Sequence, residues 1–518
     1  MQSALTFDNQ FTASLPGDPS NENIRRQLKD ALYARVDPTP VSAPYLVAYA
    51  NEVADLLGLS DTDCQSEEFL QVFSGNKLLP GMDSHATCYG GHQFGNWAGQ
   101  LGDGRAINLG EIQNERGHWM LQLKGAGPTP FSRTADGLAV MRSSVREFLC
   151  SEAMHHLGVP TTRALSLVGT GESVVRDMLY DGHPEEEPGA VVCRVSSSFV
   201  RFGHFQMLAA RQEHELLKTF TDYVIRREFP TIARDTISKD TILEFFNEVC
   251  ARTADMIVHW MRVGFVHGVM NTDNMSILGE TIDYGPYGWL EDFDPDWTPN
   301  TTDAGQRRYR YGQQPGIGQW NLMQLANALL PLIEDTKPLE EALSAYATRY
   351  ETNWQQMMAD KLGLQQFDES LNAQLLELLT SIETDMTIFY RSLSSLDLDS
   401  DNRYQALKPA FYIEQQMTDK HRVQTEAWLD QYKQQLTLQG VDNRREIMDR
   451  VNPKYVLRNY IAQLAIDDAQ QGDFEKVNEL LNVLRKPYDE QPEHEQYAER
   501  RPDWARTRVG CSMLSCSS

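Results

Sequence analysis

The residues best suited to chemistry lie in one stretch, 264–285, which reads GFVHGVMNTDNMSILGETIDYG. Its pattern predicts the end of a long helix, a polar loop, and then a hairpin over 275–285. This layout would bring Asp273, Asn274 and Asp283 together where the polar loop meets the open end of the hairpin. Because carboxylate and amide oxygens bind Mg²⁺ beside phosphate groups, the stretch predicts a metal and phosphate site.

The order of these residues matches part of the pattern of protein kinases. His267 and Asn274 have the spacing of the kinase catalytic loop, H-x-D-x-x-x-x-N, and Asp283 stands where the D-F-G aspartate follows. Val269 occupies the place of the kinase catalytic aspartate, and valine cannot accept a proton. Asp273 offers a displaced carboxylate instead. The alternative is that these polar residues only form a turn between a helix and a hairpin.

A glycine-rich loop lies earlier in the chain. The run 89–105, YGGHQFGNWAGQLGDGR, contains six glycines before Arg105, and glycine lets backbone N–H groups approach phosphates closely. Strands are predicted at 106–112 and 119–124, and the second ends on Lys124. A glycine-rich loop followed by a strand lysine is the order of a kinase small lobe. A surface Ω-loop with an exposed lysine is the alternative.

A helix predicted at 143–157 carries two acids that are candidates to pair with this lysine. In kinases, a helix glutamate holds the strand lysine in place for the phosphates. Glu147 lies in the first turns and Glu152 is its rival, and spacing alone does not choose between them. The alternative is that both are solvated helix acids.

Two arginines stand out in the segment 190–205, AVVCRVSSSFVRFGHF. Arg194 and Arg201 are flanked by apolar residues and serines in an otherwise acidic chain. Because the guanidinium fork matches phosphate oxygens, they predict an anion site. A structural salt bridge is the alternative for either arginine.

The remaining periodicity predicts an α+β chain that becomes helical towards its C-terminus. The predicted elements are helices at 43–57, 211–228, 241–262 and 318–332, strands at 162–168 and 173–179, and successive helices over 338–484.

Composition restricts the partners. Forty-seven basic and seventy-three acidic residues give the 518-residue chain a net charge of −26, which argues against a nucleic-acid partner because a phosphate backbone would be repelled. The first residues lack the basic end and apolar run of a secretory signal, and no apolar stretch reaches membrane-spanning length. We therefore predict a cytoplasmic protein with no membrane partner.

The cysteines predict neither a disulfide framework nor a zinc site, since there are seven of them and no C-x-x-C. Cys516 lies five residues after Cys511 in a small-residue tail, near Arg506 and Arg508, which favour a thiolate. A reducible disulfide at Cys516 that modulates activity is one hypothesis. Two unreactive tail thiols are the alternative.

Together these segments resemble the selenoprotein O family, also called the YdiU family of protein adenylyltransferases. The resemblance covers most of the chain and is carried by the phrases GGHQFG, QLKGAGPTPFSR and HGVMNTDNMSILG, together with the Cys-Ser-Ser terminus. It implies a protein-kinase-like, two-lobed α+β fold with an extended helical C-terminal region. It also implies that ATP is held in reverse, so that AMP passes to Ser, Thr or Tyr hydroxyls of proteins, the enzyme itself included, and pyrophosphate leaves.

The resemblance further implies a role for each matching residue. Asp273 would be the general base, Asn274 and Asp283 would bind Mg²⁺ or Mn²⁺, Glu147 would pair with Lys124, and Cys516 would take the place of selenocysteine. The residues that would contact ATP are Gly102, Gly104, Arg105, Lys124, Asp136, Gly137, Arg194, Arg201 and Asp283.

The domain organisation that follows has five parts: an N-terminal extension packing on the small lobe (1–80), a small lobe (81–205), a large lobe (206–335), a helical C-terminal region (336–500) and a cysteine-containing tail (501–518). Three other activities stay open at this point. They are transfer of UMP from UTP, transfer of the γ-phosphoryl group, and a non-catalytic scaffold that binds ATP.

Overall fold

A computed structural model describes residues 1, 5–511 and 513–515. The architecture is α+β, with antiparallel strands in the first part of the chain and helices from residue 314 onward. This confirms the predicted fold class, a kinase-like fold with a helical C-terminal region. Within the described residues, no helix combines the length and the apolar character needed to cross a bilayer.

The strands are β1 Tyr33–Arg35, β2 Tyr45–Tyr49, β3 His85–Thr87, β4 Gly90–Gln93, β5 Asn96–Gln100, β6 Ala106–Asn114, β7 Gly117–Lys124, β8 Arg163–Arg176, β9 Glu185–Ser196, β10 Phe265–Val266 and β11 Gly288–Trp289. The α-helices are α1 Gln10–Ser14, α2 Asn51–Leu56, α3 Asp61–Cys64, α4 Glu67–Phe73, α5 Met141–His156, α6 Phe202–Ala210, α7 His214–Glu228, α8 Lys239–Val263, α9 Gln314–Ile333, α10 Lys337–Lys361, α11 Glu369–Ser381, α12 Met386–Ser395, α13 Arg403–Leu407, α14 Asp419–Leu438, α15 Arg444–Val451, α16 Asn459–Gln470 and α17 Glu475–Leu484.

A seven-stranded antiparallel sheet carries the lysine and the first of the two arginines. Its strand order is β1-β3-β6-β7-β9-β8-β2, and β6 and β7 form the predicted hairpin, with Ala106 opposite Lys124. On the other side of β7, Gln122 lies opposite Arg194 of β9. Because side chains alternate along a strand, Gln122 and Lys124 share one face, and Arg194 joins them there.

Helix α5, which carries Glu147, is enclosed by the rest of the chain. It packs against β8 and β9, and the C-terminal helices α16 and α17 also contact it. Every residue from Met141 to Met154 is buried. The helix is therefore a core element rather than a surface one.

The long helix α8 delivers the chain to the polar stretch, as predicted. It ends at Gly264, which has a left-handed φ of 75° that glycine adopts without strain. The short strands β10 and β11 then pair, with Phe265 opposite Trp289. This pairing closes the base of the polar loop.

The hairpin predicted at 275–285 is wrong, because the structure describes all of these residues and no strands pair within them, although the Gly279 N–H donates to the Ser276 carbonyl over 3.3 Å in a turn. The backbone N–H of Phe202 donates to the carbonyl of Met275 over 2.9 Å, and that of Thr281 donates to the carbonyl of Pro160 over 2.9 Å. Their backbone groups thus bond to other segments of the chain, and the polar loop instead contains one turn of 3₁₀ helix, Thr272–Asn274.

The helix predicted at 43–57 is wrong in its first half. Strand β2 occupies that half and pairs with β8, and only the second half forms the helix α2. The strands predicted at 162–168 and 173–179 are one strand, β8, with an irregularity between Gly169 and Ser173. In each case pairing across the sheet outweighs the local pattern.

A buried ion-pair cluster links the C-terminal helices to the segment after β11. Arg458 donates to Glu291 over 2.6 Å and to Asp385 over 2.8 Å, and all three side chains are buried. Substitution of Arg458 by Met leaves two buried carboxylates without their cation, so we expect the free energy of unfolding to fall by about 3–5 kcal/mol. Thermal unfolding followed by circular dichroism measures this.

The matched control is Arg450→Met, which removes one half of an exposed pair with Glu446 on α15. Such pairs contribute about 0–1 kcal/mol. If Arg458→Met and Arg450→Met lowered the free energy of unfolding equally, the buried cluster would not contribute more to stability than the exposed pair.

Candidate active site

A cavity of about 720 Å³ opens between the sheet and the polar loop. This volume lies within the range of about 300–1,000 Å³ typical of small-molecule sites. Its lining includes every residue predicted to contact ATP or metal, as well as the predicted base: Gly102, Gly104, Arg105, Lys124, Asp136, Gly137, Arg194, Arg201, Asp273, Asn274 and Asp283. Cys516 lies outside the described residues.

Lys124 forms an ion pair with Glu147. Both side chains are buried, and burial lowers the pKa of Lys124 to about 8 although the Glu147 carboxylate opposes the shift. The rival acid, Glu152, binds Arg163 instead, with distances of 2.9 and 2.6 Å. The choice that spacing left open is thus made by which face of α5 is turned towards Lys124.

The two arginines converge on Asp283. Arg194 donates to Asp283 Oδ1 over 2.5 Å and to Glu147 Oε1 over 3.2 Å, and Arg201 donates to Asp283 Oδ2. Burial alone would raise the pKa of Asp283, but Arg201, Arg194 and Lys124 hold it well below its usual range. Asp283 is therefore an anion, held in the left-handed region at φ 56°, where non-glycine residues are uncommon.

Asp273 lies in the 3₁₀ turn and is 7% exposed. Its Oδ2 accepts a hydrogen bond of 3.1 Å from Gln93 Nε2, whereas Oδ1 is buried and has no partner among the described residues. Burial raises the pKa of Asp273 to about 6, although Gln93 and Arg201 both oppose the shift. A buried carboxylate with one unpartnered oxygen is a suitable proton acceptor for a bound hydroxyl.

His267 has a structural position. Its Nε2 lies 2.9 Å from the carbonyl of Ile282, and its Nδ1 accepts the backbone N–H of Val269 over 3.3 Å. Burial lowers its pKa, so the ring is neutral and fixes the loop that leads to Asp273.

Asn274 and Asp283 fit a divalent cation. Asn274 donates its Nδ2 to the carbonyl of Val269 over 2.9 Å, so its amide oxygen is the atom available to a ligand. The ionised Asp283 carboxylate lines the same cavity. An amide oxygen and a carboxylate are hard oxygen ligands of the kind that Mg²⁺ and Mn²⁺ take.

A second group of metal-type ligands lies elsewhere in the described part of the chain, formed by Glu52, Glu152 and His156. Arg163 and Arg485 already neutralise the two carboxylates. We therefore assign no metal to it.

A family model described as protein adenylyltransferase SelO matches residues 20–485. The chain belongs to the SelO family. It is also similar to curated proteins named protein nucleotidyltransferase YdiU. The one from Rhodopirellula baltica is 57% identical, with 99% of each chain covered. The one from Azoarcus sp. (strain BH72) is 58% identical, again with 99% of each chain covered. The one from Nitrosospira multiformis is 53% identical over 99% of this chain and 96% of its own.

In this SelO-family chain, the glycine-rich loop is held by an acid that sequence reasoning missed. Asp103 is buried and accepts the backbone N–H of Thr87 over 2.9 Å and its hydroxyl over 2.6 Å. A Cβ atom at Gly102 would lie 2.6 Å from the Phe131 ring. The loop therefore needs glycine there to stay against the sheet.

Two further predicted contact residues, Asp136 and Gly137, line the cavity of this SelO-family site. Asp136 binds Arg176 through hydrogen bonds of 2.7 and 2.8 Å. Gly137 has a φ of 76°, and a Cβ atom there would lie 2.3 Å from the backbone of Gly127. This close approach requires glycine.

Gln93 is the second residue that sequence reasoning missed. It lies at the end of β4 in the GGHQFG phrase, and its hydrogen bond to Asp273 crosses 180 positions of sequence. The glycines before it were the available clue, because a Cβ atom at Gly91 would lie 2.5 Å from Asp273 Oδ1. Only a strand without side chains there can lie this close to the carboxylate.

Substitution of Gln93 by Leu is expected to lower kcat by about tenfold, since it removes a hydrogen bond to a charged group. Steady-state assays of nucleotide transfer measure this, and the KM for the nucleotide should stay unchanged. Exposed Gln113 on β6, substituted by Leu, is the control. A change of similar size in both variants would show that Gln93 does not position Asp273.

Proposed function

We propose that this chain transfers AMP from ATP to Ser, Thr or Tyr hydroxyls of proteins and releases pyrophosphate. Membership of the SelO family supports the reaction class. The observation that carries the proposal is the unpartnered Oδ1 of Asp273 in the cavity that also holds Lys124, Arg194 and Arg201.

In the proposed step, the acceptor hydroxyl oxygen attacks the α-phosphorus of ATP. The bond from that phosphorus to the oxygen bridging to the β-phosphate breaks, and pyrophosphate leaves with that oxygen. The hydroxyl proton passes to Asp273. Because Gly91 has no side chain, the β4 backbone can lie directly against the Asp273 carboxylate, which lines the cavity from the polar loop.

The cations in the cavity compensate the charge of the triphosphate. Lys124, Arg105, Arg194 and Arg201 would neutralise phosphate oxygens, which is the main task of a protein in such transfers. A Mg²⁺ or Mn²⁺ ion held by Asn274 and Asp283 would supply further positive charge. A cytoplasmic location, as predicted, would give this site access to ATP.

The test is incubation of the purified protein with ATP labelled at the α- or the γ-phosphate, plus Mg²⁺ or Mn²⁺, with and without candidate protein acceptors. We expect label from the α-position alone, pyrophosphate as product, and an added AMP by intact-protein mass spectrometry. Label from the γ-position would indicate a kinase, and preference for UTP would indicate UMP transfer. Binding of ATP without any transfer would indicate a scaffold. Each of the last three outcomes, γ-label transfer, preference for UTP or binding without transfer, would overturn the proposal.

A further inference from the structure

The segment just before α9 is fastened to the loop that carries Asp273. The Tyr309 hydroxyl donates to Asn271 Oδ1 over 2.6 Å, and it accepts the backbone N–H of Phe94 over 2.9 Å. Asn271 is two residues before Asp273, and Phe94 directly follows Gln93. The turn between β4 and β5 therefore lies between the cavity and this segment.

Arg308, beside Tyr309, donates its backbone N–H to the Asp303 carboxylate over 3.0 Å, but its guanidinium forms no salt bridge to that carboxylate. In the described part of the chain its guanidinium forms no ion pair, and its Nε and Nη2 atoms are buried without hydrogen-bond partners. By contrast, Arg310 binds Asp296 over 2.9 Å. Buried guanidinium nitrogens without partners are costly and call for an explanation.

Two aromatic rings, those of Trp320 and Tyr309, lie near this guanidinium. Its Cζ atom lies 4.6 Å from the ring centre of Trp320. Trp320 lies 5.5 Å from the ring of His92, which lies 5.1 Å from the ring of Trp97. Trp97 is 40% exposed, which is unusual for so large an apolar side chain. We call Arg308, Trp320, His92 and Trp97 the aromatic shelf.

The shelf is next to the site but is not part of the nucleotide cavity. Arg308 is not among the residues that line the cavity, and a Cβ atom at Gly95 would lie 3.4 Å from its Cζ. Gly95 is two residues from Gln93, which touches Asp273. Two residues of extended chain span roughly 7 Å. A polypeptide with its hydroxyl at Asp273 therefore reaches the shelf within a few residues.

We infer that the aromatic shelf binds the protein substrate beside its acceptor hydroxyl, and that it selects a segment with a carboxylate near that hydroxyl. This inference rests on the proposed function. A carboxylate would supply the opposite charge, and a turn of the Arg308 side chain would bring its buried Nε and Nη2 into the paired geometry that guanidinium favours. The rings would exclude water from that contact and pack on neighbouring side chains.

Charge supports the choice of an acidic partner at this place. The chain carries a net charge of −26, which repels an acidic segment from most of its surface. In 306–310, QRRYR, three arginines stand in five residues, and one of them has a carboxylate partner among the described residues. The shelf is thus a local exception, adjacent to the catalytic base.

The test compares three peptides that share one serine acceptor and differ at the flanking positions, which are all Glu, all Gln or all Lys. For the unmodified enzyme we expect kcat/KM for AMP transfer to be about tenfold higher with the Glu peptide than with the Gln peptide, as for a charge-assisted hydrogen bond. Arg308→Gln should reduce this ratio to about one. Arg308→Glu should reverse the preference towards the Lys peptide, and this gain also shows that the variant is folded.

The matched control is Arg307→Gln. Arg307 is exposed, and its guanidinium donates to the backbone carbonyl of Asp296 over 3.4 Å. The Arg307→Gln variant should keep the preference for the Glu peptide over the Gln peptide.

Equal kcat/KM for the Glu and Gln peptides, or a preference that survives Arg308→Gln, would overturn the inference while leaving AMP transfer intact. Failure of the enzyme to label itself or any peptide would instead refute the proposed function.

Discussion

Replacement of Asp273 by Asn is expected to lower kcat for AMP transfer by about 10²–10⁴-fold, the usual contribution of a general base. Asn has nearly the same shape and its amide oxygen can accept the Gln93 hydrogen bond seen at Oδ2, so the loop should persist. It cannot take up the proton of the acceptor hydroxyl. Binding of ATP should change little, because Asp273 bonds through its side chain to Gln93 rather than to the cations of the cavity.

Single-turnover assays with α-labelled ATP separate these two effects. Exposed Asp235, substituted by Asn, is the control, and thermal unfolding should show both variants to be folded. A kcat within a factor of a few of the unmodified enzyme would contradict the role of Asp273. The base would then be sought elsewhere along the cavity.

Replacement of Asp283 by Ala is expected to lower transfer by at least about 10²-fold, as for the loss of a group that stabilises developing charge. Two consequences of the geometry contribute. The divalent cation would lose its carboxylate ligand, and Arg194 and Arg201 would lose the anion that now holds both of them. The rate of the variant should therefore rise little with added Mg²⁺ or Mn²⁺, whereas the rate of the unmodified enzyme should depend on it.

Asp283→Asn keeps the shape and removes the charge, so it tests whether the charge of Asp283 rather than the volume of its side chain accounts for the loss. Breaking a buried pair destabilises a protein by about 3–5 kcal/mol, so thermal unfolding of both variants must accompany the assays. Transfer that stays near normal, with the usual metal dependence, would remove Asp283 from the site.

Much of the site was predictable because the elements that carry it are determined by residues close to them in sequence. The hairpin that ends on Lys124, the helix with Glu147 and the long helix that ends at Gly264 each depend on nearby residues, and each formed. The choice of Glu147 over Glu152 was not predictable, since it depends on how α5 is turned against the sheet.

The errors arose where distant segments decide the structure. Residues 275–285 looked like a hairpin because they are apolar and contain a turn, yet their backbone groups bond to Pro160 and Phe202. Gln93 and Arg308 gave no pattern either. Their importance comes from tertiary contacts, the hydrogen bond of Gln93 to Asp273 and the missing salt bridge of Arg308 in the described part of the chain. Hydrophobic periodicity along the sequence carries no information about such contacts.

The burial of α5 has a consequence for control of the enzyme. In many kinases the equivalent helix swings outward, which separates the lysine from the glutamate and turns the enzyme off. Here the helix is wedged between the sheet and two helices from the far end of the chain, so such a swing would require the C-terminal region to come away. Lys124 and Glu147 therefore stay assembled in the resting protein, so control of this enzyme would not proceed by separating that ion pair.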